Sequence, residues 1–172
     1  MVDEGLLLYL EQGVKSTTKL IDTIIARVDK GDLDAIIVAS TKGNTAVKIA
    51  EATQDAVTVV SVTEFTYDDE VKKAMKKLKI VPVERVALPI QDRPGMGAAL
   101  NLFGAGMKAA LEVAAIAAER KLTSGKIMAV GGGGRGLDTA LVVSPAEPAD
   151  FMNPDPRRQM AVLEILAMRK RE

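Results

Sequence analysis

The stretch Ala35-Ile36-Ile37-Val38-Ala39-Ser40-Thr41-Lys42-Gly43-Asn44-Thr45-Ala46-Val47-Lys48-Ile49-Ala50-Glu51-Ala52, with Ala56-Val57-Thr58-Val59-Val60-Ser61-Val62 behind it, decides the fold. Ala35 to Ala39 is a short unbroken apolar run, the pattern of a strand buried on both faces of a parallel sheet. Ser40 to Thr45 turns the chain into a helix from Ala46 to Ala52, and the β-branched run from Ala56 to Val62 is a second strand. This is one βαβ unit.

Working outward, Lys15 to Lys30 carries Leu20, Ile21, Ile24, Ile25 and Val28 at helical spacing behind Ser16-Thr17-Thr18, good cap residues. Thr66 to Lys79 is a helix with Asp68, Asp69 and Glu70 at its start and Lys72, Lys73, Lys76, Lys77 and Lys79 toward its end, complementing the macrodipole. Its inner stripe is Val71, Met75 and Leu78, so the lysines form a solvated face. Ile80 to Leu88 reads as a strand that Pro82 and Pro89 place near an edge, and Gln91 to Gly97 as a Pro/Gly loop. Leu102 to Leu122 is the longest helical pattern, apolar over most of its circumference and so in need of cover on two sides, by its own sheet and by another helix or subunit. Lys126 to Val130 and Thr139 to Ser144 are strands. Only Gly131 to Gly136 separates them, too short for a parallel crossover, so the sheet is expected to be mixed. From Pro148 the chain reads as an extension whose Met160, Leu163, Leu166 and Ala167 mark a terminal amphipathic helix.

The pattern predicts one three-layer α/β/α domain over residues 1–147, with a mostly parallel sheet of about five strands, and an extension over residues 148–172. Composition bounds the chemistry. In 172 residues there is no Cys, His or Trp, which excludes disulfides, a thiol nucleophile, a His-based triad and the usual zinc sites; a metal would need oxygen ligands, and none is expected. Lys+Arg 23 against Asp+Glu 23 and only five aromatics, Tyr 2 and Phe 3, give no footprint for nucleic acid. Met1-Val2-Asp3-Glu4 is acidic where a secretory signal is basic, and no apolar run approaches the ~18 residues of a membrane span. A cytoplasmic protein with no membrane partner is expected.

Two loops are suited to chemistry. Ser40, Thr41, Lys42, Gly43, Asn44 and Thr45 lie where a buried strand meets a helix start, so hydroxyls, free N–H groups, the positive helix end and a full lysine charge converge. A cap alone needs only Thr41 or Asn44, with Gly43 easing the turn; the full set suits a phosphate or carboxylate. It is not a Walker A loop, lacking the glycine-lysine-hydroxyl triplet. The second loop is Gly131-Gly132-Gly133-Gly134-Arg135-Gly136. Formally Gly131, Gly133 and Gly136 match a dinucleotide fingerprint, but that motif must open a helix, and Leu137-Asp138-Thr139-Ala140-Leu141-Val142-Val143 reads as strand. What remains is a backbone-rich loop that a ligand approaches closely, with Arg135 able to fork onto an anion. Asp92, Asp138 and Lys108 are the nearest ionisable groups, for which surface pairing is the commoner role. Met96, Met107 and Met128 read as core fillers.

The run Ile36 to Ala46 resembles the strand, loop and helix of the pyruvate kinase C-terminal domain that grips an effector phosphate. The whole chain, over roughly residues 5 to 146, is similar to the stand-alone prokaryotic family that shares that domain's fold. The shared motifs are Tyr9-Leu10-Glu11, the first loop, Leu102-Phe103-Gly104-Ala105-Gly106-Met107-Lys108 and Ala129-Val130-Gly131-Gly132-Gly133-Gly134-Arg135-Gly136-Leu137-Asp138-Thr139-Ala140. The resemblance implies a sheet with one antiparallel strand, no barrel domain and hence no pyruvate kinase activity, and flavin mononucleotide (FMN) as the ligand. It also implies that Ser40, Lys42, Gly43, Asn44 and Thr45 hold the phosphate, while Gly132, Gly133, Arg135, Asp138 and Thr139 line the rest. The expected function is binding of a phosphorylated small molecule, FMN, by a homo-oligomer. The alternatives are a flavin-dependent oxidoreductase and an effector-sensing regulatory or assembly module without catalysis.

Overall fold

The computed structural model describes residues 5–172; Met1 to Glu4, read above for a secretory signal, lie outside them. The elements in order are β1 (Leu8–Leu10), α1 (Val14–Val28), β2 (Ala35–Ala39), α2 (Asn44–Thr53), β3 (Thr58–Val62), α3 (Asp69–Lys77), β4 (Val81–Val83), α4 (Pro94–Asn101), α5 (Ala105–Glu119), β5 (Ile127–Gly131), β6 (Thr139–Ser144), a short 3-10 turn (Pro148–Asp150) and β7 (Ala161–Arg169). One seven-stranded sheet has the order β1-β7-β6-β5-β2-β3-β4. Only β6 runs against its neighbours, pairing antiparallel with β5 and β7. The other ladders are parallel.

The period-2 alternation of the strands builds two cores from one sheet. Ile36, Val38, Val59, Met128 and Val130 face Leu20 and Ile24 of α1, Ile49 of α2 and Met75 of α3. Ala35, Ile37, Val60, Val62, Ile127 and Ala129 face Met107, Ala110, Leu111, Ala114 and Ile116 of α5, with Met96 and Leu100 of α4 packed beside them. The architecture is a three-layer α/β/α sandwich. The methionines do fill core: Met128 is fully buried and Met107 nearly so.

All five expected strands are present, and two more join them. The tail is not a helix; it is β7, seated between β1 and β6. The helical reading rested on apolar residues three apart, and β7 has a physical reason to imitate that spacing. Its register against β6 slips twice: Ala140 and Leu141 face Ala167 and Ile165, while Val142 and Val143 face Glu164 and Val162. Leu166 and Leu163 are thus the extra residues of two β-bulges, and each bulge breaks the two-residue alternation. Residues 148–172 are therefore not an appendage, because their strand completes the main sheet. β1 was missed because three residues carry too little periodicity to read.

The long helix also differs. Gly104, at φ +97°, interrupts it, so α5 starts at Ala105. Pro94 opens α4 from its first turn, where a loop was expected. Ten residues of α5 are buried, covered by β5, β2, β6 and α4 of the same chain. Its apolar circumference therefore needs no second subunit. The strand expected over Ile80 to Leu88 shrinks to β4, the sheet edge that Pro82 tolerates.

One ion cluster ties the tail strand to the body. Arg27 on α1, 4 % exposed, donates Nη1 to Asp32 Oδ1 at 2.6 Å and Nη2 and Nε to the two oxygens of Glu164 on β7 at 2.9 and 3.0 Å. Lys126 adds a 2.6 Å contact to Asp32. Hydrogen bonds from Arg27 hold the Asp32 carboxyl far below the usual range, and the same guanidinium lowers Glu164.

Candidate functional site

The connection after β2 leads to β3 on one side, and the connection after β5 leads to β6 on the other. At such a switch point in an open α/β sheet, the loops part and leave a crevice beyond the carboxyl ends of the strands. Both loops singled out in the sequence lie there. A cleft of about 380 Å³ is lined by Ala39, Ser40, Thr41, Lys42, Asn44 and Thr45 from one loop and Gly132, Gly134, Gly136 and Leu137 from the other, a volume within the range of small-molecule sites.

The first loop is built to leave its helix end open. α2 has no side-chain cap, and its cap position is Gly43 at φ +86°. A glycine is required there: a Cβ would lie 2.5 Å from Met75 Cε and 2.7 Å from Val71 Cγ1, in a left-handed conformation that other residues adopt at a cost. Ser40, 6 % exposed, shapes the turn instead of capping it. Its Oγ accepts the Gly43 N–H at 3.1 Å and shares a 2.8 Å hydrogen bond with Thr45 Oγ1. The helix starting at Asn44 therefore presents first-turn N–H groups toward the cleft with its positive dipole end. Lys42 is exposed beside it. The ion-paired lysines are Lys72, Lys79, Lys121, Lys126 and Lys170, so among the described residues Lys42 keeps its charge for a ligand.

Tyr67 supports this loop from below. Its buried hydroxyl donates to Ser40 O at 3.1 Å and hydrogen-bonds Ser61 Oγ at 2.7 Å, and burial pushes its pKa up to about 12, so it stays a neutral donor at physiological pH. Tyr67→Phe should lower stability by about 1–2 kcal/mol, because the Ser40 carbonyl and Ser61 hydroxyl lose a partner in a dry site. Denaturant titration checks this. Thr63 Oγ1 adds a second brace, donating to Thr41 O at 3.1 Å.

The glycine loop is held by close backbone approach. A Cβ on Gly131 would sit 2.5 Å from Gly106 O and 2.9 Å from Ala110 N of α5, and one on Gly132 would sit 2.0 Å from Gly136 O. Gly136, at φ +78°, packs on Thr17, whose Oγ1 accepts the Leu137 N–H at 2.9 Å. No helix follows the loop, since β6 starts at Thr139. The dinucleotide reading is thereby excluded on geometry.

The expected site residues separate into groups. Ser40, Thr41, Lys42, Asn44, Thr45, Gly132, Gly134 and Gly136 line the cleft, while Gly43 and Gly131 shape it without lining it. Arg135 is exposed and does not line it. Gly133 and Asp138 line a neighbouring cleft of about 690 Å³, bounded also by Glu11, Gln12, Gly104, Ala105 and Arg169 to Glu172. Thr139 is fully buried, its hydroxyl donating to Asp138 Oδ1 at 2.8 Å. In the larger cleft two of the cations already face carboxylates, Arg169 lying 3.6 Å from Asp138 and Lys170 3.7 Å from Glu11. Asp92 is exposed, away from both clefts.

The sequence reading missed Glu112, a 2 % exposed carboxyl within the buried stretch Ala110 to Ala117 of α5. It lines a cavity of about 150 Å³ that shares Ala39, Ser40, Thr41 and Gly132 with the cleft. The signal was there, an acidic residue set between Leu111 and Val113 in the alanine-rich middle of the helix. Among the described residues no group of three or more His, Cys, Asp or Glu side chains is arranged to hold a metal ion, and no helix is long and apolar enough to cross a membrane. No protein-family model matches the chain.

Proposed function

We propose that the protein binds a phosphorylated small molecule, flavin mononucleotide, across the crevice between β2 and β5, with the phosphate on the start of α2. The observation that carries this reading is the uncapped α2 terminus opening, beside the unpaired charge of Lys42, into a cleft walled by glycine backbone. Ser40 and Thr45 add hydroxyl groups already ordered by their mutual hydrogen bond. The donor set fits a phosphate monoester, and the resemblance to the stand-alone prokaryotic family with the pyruvate kinase C-terminal fold supplies the flavin. When bound, such a group would carry any electron transfer itself, as a chain without Cys, His or Trp requires.

The glycine loop walls both clefts, through Gly132 on one side and Gly133 on the other. This favours an effector-sensing module as the second reading, ahead of a flavin-dependent oxidoreductase, because occupancy of one cleft would be felt in the other. Self-association belongs to the same proposal. Neither surface the sequence offered for it remains, since α5 is buried and the tail helix is a strand, but Leu6, Tyr9, Val162, Leu163 and Ile165 are exposed.

Native mass spectrometry and absorbance of protein purified without added ligand should show a bound flavin mass, a yellow spectrum and an oligomer. In FMN titrations, Lys42→Ala should bind at least about tenfold more weakly, the loss expected for a charge-assisted contact. Unchanged affinity would overturn the reading.

A further inference from the structure

We infer that Glu112 forms the second polar end of the ligand site, accepting or sharing a hydrogen bond with an O–H or N–H group of the phosphorylated ligand at the opposite end from its phosphate. The inference rests on the reading of the α2 cleft given above.

A carboxyl buried in an apolar helix face is costly unless something uses it. The protein uses only half of it: Glu112 Oε2 accepts the Ile90 N–H at 3.1 Å, and Oε1 takes no hydrogen bond among the described residues. Burial raises the pKa of the group. Glu112 is nonetheless not sealed in the core, because it lines the 150 Å³ cavity. That cavity lies on the α5 side of the sheet edge, the phosphate cleft on the α2 side, and Ser40, Thr41 and Gly132 are walls of both. The two spaces therefore meet across the switch point.

The other polar residues of the cavity are committed or solvated. Thr63 Oγ1 donates to Thr41 O and accepts the Phe65 N–H at 3.2 Å, Ser40 Oγ orders the phosphate loop, and Glu64 is exposed. Glu112 is thus the buried group there with an oxygen to spare. The volume suits the edge of a ligand rather than a whole ring system. Phe65, 59 % exposed, and Leu88 also line the space, offering an apolar face on which a flat ring can rest. The ligand class is a phosphate ester whose far end carries a ring or chain with a hydrogen-bonding edge.

Glu112→Gln, which keeps an acceptor for Ile90, and Glu112→Leu, which keeps the volume, are each titrated with FMN and, separately, with inorganic phosphate. The expected result is phosphate affinity unchanged in both variants and FMN affinity reduced by about tenfold or more in Glu112→Leu, with a smaller loss in Glu112→Gln. Wild-type protein that binds both probes, with FMN affinity unaltered in either folded variant, overturns the role of Glu112 and leaves the phosphate site standing. Wild-type protein that binds neither probe overturns both. Circular dichroism melts of each variant confirm that folded protein is compared.

Discussion

Gly131→Ala should lower the melting temperature by about 5–10 °C, the shift expected when overpacking costs about 2–3 kcal/mol in a domain of this size. The added methyl would meet the backbone, at 2.5 Å from Gly106 O and 2.9 Å from Ala110 N, and backbone cannot turn aside as a side chain can. To admit it, α5 must rise from β5. Both elements belong to one packed core, in which Met107, Ala110, Leu111 and Ala114 lie on Ile127 and Ala129, so the separation spreads beyond one residue. Gly132 follows directly and walls both the cleft and the Glu112 cavity, so FMN affinity should fall together with stability. Gly134→Ala is the control: nothing lies within 4 Å of its added Cβ, and only its positive φ opposes the change. It should lose about 1–2 kcal/mol. A thermal scan of the two variants checks the order, and equal melting temperatures would refute the packing argument.

Replacing Arg27 by Met should produce the second large effect, about 2–4 kcal/mol of destabilisation at neutral pH. The methionine keeps much of the volume but strands Glu164 and leaves Asp32 with Lys126 alone, where both carboxylates had shared one guanidinium. Both carboxylates are about a third exposed, and water offsets part of the loss, which keeps the figure toward the lower end of the range for buried pairs. The pH dependence follows with a definite sign. Asp32 and Glu164 titrate lower in the folded protein than in the unfolded chain, so their contribution is present above about pH 4 and is lost as pH falls through their folded values. The wild-type protein should therefore lose stability steeply below about pH 4, and Arg27→Met should show a flatter acid limb. Urea titrations between pH 3 and pH 7 measure both. Because Glu164 belongs to β7, the backbone amides of Val162 to Ala167 should be the first to lose hydrogen-exchange protection in the variant.

The centre of the sheet was legible in the sequence because burial on both faces writes an unbroken apolar run, as at Ala35 to Ala39 and Ile127 to Val130. The loops were legible because Ser, Thr, Lys and Gly at strand ends have few other reasons to cluster. Residues whose meaning depends on partners far along the chain were not. Leu163 and Leu166 are bulge residues only in relation to β6, and their spacing alone imitates a helix. Gly104 ends one helical stretch and starts another through a left-handed φ that a list of residue types does not display. Arg135 looked like the ligand arginine from its place in the glycine loop, yet its side chain is exposed outside the cleft. Glu112 was hidden for the opposite reason, since an apolar helix pattern absorbs one carboxylate without losing its period.

The place of β7 in the sheet also has a consequence for how the chain reaches its native state. Leu8 pairs with Ala167 and Leu10 with Arg169, so the first described strand finds its partner only in the last. Long sequence separation of this kind slows folding, because the closure entropy is lost before the pairing rewards it. During synthesis, β2, β3 and α2 can dock as a local unit while β6 waits with an unpaired edge. A ribosome-bound chain stalled before Ala161 would carry that open edge, and with it a tendency to pair with other chains. The bulges of β7, by twisting the late strand, lower the chance that it pairs out of register when it arrives.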